Sequence, residues 1–342
     1  MRKVLSLSAI TLVASLAMAG GDGVTHAVYT TSGKADPAFR VVPVSYSNSL
    51  LCSLRQSERI NKMLNEIVNQ TLSQVRTVNK EDVAVSLIEI CPADGCQPAI
   101  GSVHGEEMLY ASGIARLPYA ASLYAAKGAK GGNLSPSMKA DIMASLRDAD
   151  YGATNRLIDY LRDMKGSEYA NYFLTNLGFQ DFNVNQRFIS GEPTGADADS
   201  LGRKLVMNYE NSNRLTANQS AGMMYLLAQD ALVSPGASQA MKAYMHHPLE
   251  QKKIGVLQGI AAGLPVGSEI VTINGYSVRN YHEAALISLP NGKRYVLSVM
   301  TKYNEYPTVF IPLLSRTIAF RMMTETGSED PALHTYIPSL AR

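Results

Sequence analysis

Strand-like runs stand near both ends of this chain, and the long stretch between them reads as helix and loop. Val83–Ile90 and Ala99–Val103 have the length and apolar content of strands, as do residues 269–274, 282–289 and 294–302. A strand cannot satisfy its backbone edges or bury its faces alone, so the early and late runs must pair with one another. The pattern therefore predicts an α+β fold of α/β/α type, with an antiparallel sheet built from N- and C-terminal strands. That sheet packs beside an all-helical middle block. Pro290-Asn291-Gly292-Lys293 supplies a hairpin turn between the last two strands.

The helices follow from spacing and caps. Ile60, Met63, Leu64, Ile67, Val68, Leu72 and Val75 recur at helical intervals, which predicts an amphipathic helix ending near Val75. Further helices are expected from about Ile114 to Ala126, from Ser135-Pro136 with Met138, Ile142, Met143 and Leu146 on its apolar face, and from Ala153 to Leu161. Thr216 caps one through Leu232, Ser234-Pro235 opens another that ends near His246-His247, and residues 308–323 form the last, started or kinked by Pro312. Residues 178–202 are rich in Gly, Asp and Asn without a period, and long loops in compact domains more often serve function than not.

The ends of the chain bear on its destination. Arg2 and Lys3, the apolar run Val4–Ala17 and the small residues Ala17-Met18-Ala19 predict a signal peptide over residues 1–19, with Thr25-His26-Ala27 as a second cleavage candidate. The expectation is a secreted or periplasmic protein without an integral membrane segment after cleavage. Residues 20–50 read as an extended lead-in, 51–325 as the folded domain and 326–342 as a tail. A formal charge of +2 offers no electrostatic reason for a nucleic-acid partner, and 46% apolar residues suffice for a large core.

Cys91 and Cys96 flank a Pro-Ala-Asp-Gly turn, which in an exported chain favours a disulfide stapling a hairpin. A metal site would need ligands beyond His104, and adjacent His246 and His247 face different sides of a helix, so neither a metal nor a cofactor is expected. Cys52 is left over, either as a buried thiol or as an intermolecular link.

One short stretch carries chemistry. Ala111-Ser112-Gly113 is a small-residue turn leading into the apolar run through Leu117, Tyr119 and Leu123. A serine at the first turn of a buried helix is either an ordinary N-cap or a nucleophile held among free N–H groups.

Taken with the order of elements, this stretch resembles the class A serine β-lactamase and penicillin-recognising hydrolase family over most of residues 54–323. Where members show an aromatic, a small residue, Ser-x-x-Lys and Leu-Pro, Tyr110-Ala111-Ser112-Gly113-Ile114-Ala115-Arg116-Leu117-Pro118 stands here. Ala149-Asp150-Tyr151 takes the place of Ser-Asp-Asn, with Asn155-Arg156-Leu157 following as Asn-x-Leu. Ile273-Asn274-Gly275 takes the place of Lys-Thr-Gly. The resemblance implies Ser112 as the nucleophile position, backbone N–H groups of Ser112 and Tyr276 as an oxyanion hole, and Asp150, Tyr151, Asn274, Gly275 and Tyr276 as the binding residues.

The departures are concerted. The base of the first motif is Ala115, the relay serine of the second is Ala149, and the cation of the third is Ile273. Arg116, one position past the lysine slot, is expected to point elsewhere, and a guanidinium cannot act as a base. Glu192 in the long loop is the nearest stand-in for the family's deacylating glutamate. The resulting expectation is a catalytically impaired pseudoenzyme that binds a peptidoglycan fragment, a β-lactam-like small molecule or an envelope protein. The alternatives are a serine hydrolase using Ser112 with rearranged machinery, and a structural module whose cleft is filled by its own side chains.

Overall fold

The structure, a computed structural model, describes residues 50–75, 78–90, 97–127, 134–188, 213–247, 249, 259–276, 280–302 and 308–324. The predicted signal peptide, the lead-in up to residue 49 and the tail lie outside the described residues, as do Cys91, Cys96 and Glu192.

The two ends of the chain meet in one six-stranded sheet of order β1-β3-β2-β8-β7-β6. Its strands are β1 (Arg55–Gln56), β2 (Val83–Ile90), β3 (Ala99–Val103), β6 (Glu269–Tyr276), β7 (Tyr281–Ser288) and β8 (Arg294–Thr301). The seam is the antiparallel pairing of β2 with β8, which sets Val85 opposite Val299 and Leu87 opposite Leu297. All pairings are antiparallel except that of the two-residue β1 with β3. A separate short ladder joins β4 (Leu109–Tyr110) to β5 (Arg214–Leu215).

The period of two along β2 sorts its residues between two cores. Val83, Val85 and Leu87 face one that includes α1 (Glu58–Gln74) and α9 (Phe310–Thr324), while Ala84, Ile88 and Ile90 face the helical block. Both faces are thus dry, which is why β2 reads as a continuous apolar run rather than an alternation. The block comprises α2 (Arg116–Ala126), α3 (Pro136–Arg147), α4 (Tyr151–Lys165), α5 (Tyr169–Asn176), α6 (Ala217–Ala228) and α7 (Pro235–Met245), and the four-residue α8 (Ile260–Gly263) leads back to the sheet.

Several boundaries differ from the sequence reading. The helix expected to reach Leu232 stops at Ala228, where Asp230 adopts φ 55° and the Ala231 N–H returns to the Leu226 carbonyl at 2.8 Å. Helix α4 starts at Tyr151 because the Asp150 carboxylate accepts the Ala153 N–H at 3.0 Å. Helix α5 was not anticipated. Pro312 sits in the first turn of α9, where its missing N–H costs nothing, so it starts that helix. Cys52 is exposed, which removes the buried-thiol alternative. Among the described residues no helix is long and apolar enough to cross a membrane.

Candidate functional site

Ser112 is delivered by a short, heavily tied segment. The Ala111 N–H bonds the Asn213 carbonyl at 2.7 Å, and His282 Nε2 lies 2.6 Å from the Tyr110 carbonyl. The Thr301 N–H donates to His282 Nδ1 at 3.0 Å, so the imidazole proton resides on Nε2 and is given to Tyr110. Burial pushes the His282 pKa down to about 4 and keeps the ring neutral. The chain then turns at Ser112, whose φ of 46° is a left-handed conformation that costs a non-glycine residue free energy. A 3₁₀ turn over Ser112–Ala115 runs into α2, all of whose residues are buried. Ser112 itself is 2% exposed.

The turn is pressed onto β6 backbone to backbone. A Cβ on Gly275 would lie 2.1 Å from Gly113 N and 2.5 Å from Gly113 Cα, and one on Gly113 would lie 2.7 Å from the Asn274 oxygen. Both positions therefore require glycine. Gly275 is also the cross-strand partner of His282, so sheet and turn are fixed to each other at two adjacent points.

The space left beside these glycines is filled by Arg116, and here the structure corrects the sequence reading. Far from pointing elsewhere, the side chain, 1% exposed, folds back beneath the turn. It donates from Nε to the Gly113 carbonyl at 2.8 Å, from Nη1 to the Ser145 carbonyl at 2.5 Å and from Nη2 to the Asn274 carbonyl. Among the described residues no carboxylate is paired with it. Desolvation draws its pKa down to about 10, opposed by interaction with Tyr151, and at that value it remains a cation.

Tyr151 completes the contact with Ser112. The Ser112 side chain lies close enough to the Tyr151 phenol to draw its pKa down, and the phenol hydroxyl donates to the Tyr276 carbonyl at 3.3 Å. Burial raises the phenol pKa above its ordinary value of 10, and the pull of Arg116 and of the Ser112 hydrogen bond does not offset that. The ring stacks on Phe188 with centroids 4.9 Å apart and an interplanar angle of 11°, and Tyr119 meets Phe188 edge-on at 6.2 Å. Phe188 is held by Asn155, which donates to its carbonyl and accepts its N–H, each at 2.7 Å. The residue that the described part of the long loop lays against Tyr151 is thus apolar.

Of the residues singled out from sequence, Ser112, Tyr151, Asn274, Gly275 and Tyr276 lie together. Asp150 is exposed and capping α4, and Tyr276 presents a ring that is 63% exposed at the rim. Sequence reasoning missed Phe188, His282 and the part played by Arg116. Gly113 was the available signal, since a missing side chain one residue after the serine opens the path that Arg116 takes. Among the described residues, the titratable group coupled to Ser112 is Tyr151, and no cluster could hold a metal ion. The arrangement offers hydrogen-bond donors and a fixed positive charge, and a protonated phenol as the serine's partner.

The fold is shared with known proteins. PBP-A is matched with a TM-score of 0.53 and 17% identity over 80% of this chain and 98% of that one. A class A β-lactamase from Bacteroides cellulosilyticus gives 0.55 and 14% over 77% and 99%, and one from Mycobacterium abscessus gives 0.56 and 13% over 74% and 100%. At such identities these structures show a shared fold and no more. No curated protein matches the chain by sequence. A sequence model described as the Beta-lactamase enzyme family, however, matches residues 99–320, and the chain belongs to that family.

Proposed function

We propose that this chain is a catalytically impaired member of its family, exported to the cell envelope, that binds a ligand rather than hydrolysing one. The ligand would be a peptidoglycan fragment, a β-lactam-like molecule or an envelope protein. The observation that carries the reading is the partner of Ser112: its hydroxyl meets a phenol whose pKa is raised, so among the described residues no ready proton acceptor stands beside the nucleophile. General-base assistance is worth roughly 10²–10⁴-fold, and an unassisted serine hydroxyl is a weak nucleophile. Ala115 and Arg116 supply no substitute.

One observation favours the alternative hydrolase. Arg116 pulls the Tyr151 pKa downward, as a base-activating cation would. Nitrocefin turnover and intact mass after benzylpenicillin and after a fluorophosphonate decide between them, with Ser112→Ala and Tyr151→Phe in parallel. The expected result is saturable binding of a muropeptide or of benzylpenicillin without turnover. Turnover that disappears in both variants would overturn the proposal and make Tyr151 the base.

A further inference from the structure

On the opposite face of the sheet from Ser112 lies a carboxylic acid that the site as described does not use. Glu283 is 1% exposed, and its oxygens accept the Ile260 N–H at 2.8 Å, the Thr272 hydroxyl at 2.9 Å and the Tyr281 hydroxyl at 3.3 Å. Gly259, at φ 72°, closes the enclosure, since a Cβ there would lie 2.0 Å from Glu283 Oε2. Buried carboxyls held this closely need a reason, because desolvating their charge is costly.

A path of polar contacts supplies one. Glu283 is the cross-strand partner of Asn274. The Asn274 side chain acts on the Tyr281 phenol and draws its pKa down against burial, and Asn274 Oδ1 faces Arg116 Nη2 at 3.5 Å. The polarity agrees at every link. With Oδ1 turned to the guanidinium, the Asn274 amide NH₂ is left for the Tyr281 oxygen, and the Tyr281 O–H then donates to Glu283. Among the described residues, a buried cation without a paired carboxylate is thereby joined to a buried carboxyl without a paired cation, around the outer edge of β6.

We propose that Glu283 is a positioning residue for the Ser112 site, acting through Tyr281, Asn274 and Arg116. This rests on the reading that Ser112, Tyr151 and Arg116 form the site. When Glu283 takes up a proton, its new O–H must find an acceptor. Thr272 and Tyr281 are the hydroxyls it faces, and a Tyr281 hydroxyl that accepts this proton turns toward Asn274 and asks its oxygen away from Arg116. The charge and the hydrogen bonding beside Tyr151 change together. Burial pushes the Glu283 pKa up to about 7, which puts the change in the neutral range. Tyr281 is the titratable group that acts on Glu283 among the described residues; β6 brings the neutral Thr272 and Asn274, α8 the Ile260 N–H, and α9 the Ser315 hydroxyl, which bonds the Ile260 carbonyl.

The test reads Arg116 directly, by NMR of arginine side-chain Nε–Hε groups in the full chain between pH 5 and 9, alongside the Glu283 carboxyl carbon. The Arg116 resonance is expected to titrate with a midpoint near 7 and to lose that titration in Glu283→Gln. In Tyr281→Phe the Glu283 carboxyl should still titrate while Arg116 no longer follows. This variant also keeps the question decidable if the glutamine variant does not fold. An Arg116 resonance that is the same in wild type and Glu283→Gln at every pH would overturn the proposal. So would one that still follows Glu283 in Tyr281→Phe. Because Arg116 is observed whether or not Ser112 reacts, this result and the nitrocefin result can fail separately.

Discussion

His282 and Glu283 are neighbours on β7 facing opposite sides of the sheet, and their effects on stability should oppose each other. Glu283 keeps its proton to about 7 in the folded chain against an ordinary 4.5, so the fold binds that proton more tightly than the unfolded chain does. Its contribution is complete below about pH 4.5 and is lost as pH rises to about 7. His282 is held neutral down to about 4 against an ordinary 6.5. Its contribution is complete above about pH 6.5 and is lost as pH falls to about 4. Each proton affinity differs between folded and unfolded chains by about two and a half powers of ten, or about 3 kcal/mol. Between about pH 4.5 and 6.5 the two slopes nearly cancel in the wild type. Single substitutions should unmask them. In His282→Gln, which can still donate to Tyr110 and accept from Thr301, stability should fall relative to wild type by about 3 kcal/mol from about pH 4 to 6.5. In Glu283→Gln it should rise relative to wild type by about the same amount from about pH 4.5 to 7. Urea denaturation followed by circular dichroism at a series of pH values measures both. Each variant also loses packing, but that displaces its curve without tilting it. Three parallel curves would refute the reasoning, because they would mean that neither group changes its proton affinity on folding.

Two further outcomes concern other parts of the molecule. Gly275→Ala drives a Cβ to within 2.1 Å of Gly113 N, backbone that cannot swing aside, so it should cost about 3 kcal/mol, read as a lowered urea midpoint. Thiol titration without reductant should find one reactive thiol in the folded chain, the exposed Cys52, and still one after unfolding, since Cys91 and Cys96 are expected to be joined; three thiols after unfolding would contradict the pairing.

The fold was legible because its signals are local and repeated. Ser135, Thr216 and Ser234 each cap the helix that their position announced, with side-chain oxygens accepting N–H groups three residues on at 3.1–3.2 Å. The strand runs at the two ends found each other because no other arrangement buries both faces of β2. The end of α6 was illegible for the converse reason. Asp230 turns the chain in the left-handed region without a glycine, and Leu232 and Val233 beyond it are buried apolar residues that continue the look of a helix. Phe188 was hidden because its position depends on a clamp from Asn155, thirty-three residues earlier, which no spacing rule encodes.

Arg116 shows most clearly where a pattern argument stops. Counting around a helix puts it about 100° from the position of the missing lysine, which suggests that its charge leaves the site. That count treats the side chain as a radial spoke. Side chains on a helix tilt toward the N-terminus, and arginine is long enough to run back past the preceding turn. Whether it can do so depends on what stands at the residue three before it, and here that is Gly113, where a Cβ would come within 3.2 Å of Arg116 Nε. The same glycine, together with Gly275, lets β6 approach until the Asn274 carbonyl is within reach of Nη2. The substitution of Ala115 for a lysine therefore removes a proton acceptor without removing positive charge from the site. A cation that cannot act as a base replaces one that can, and it is fixed by three main-chain carbonyls. Positive charge thus remains beside Ser112, as the proposed binding role requires. Among the described residues the lysine's place offers no group to take the serine's proton, and that is the distinction between binding and turnover on which the proposed function rests.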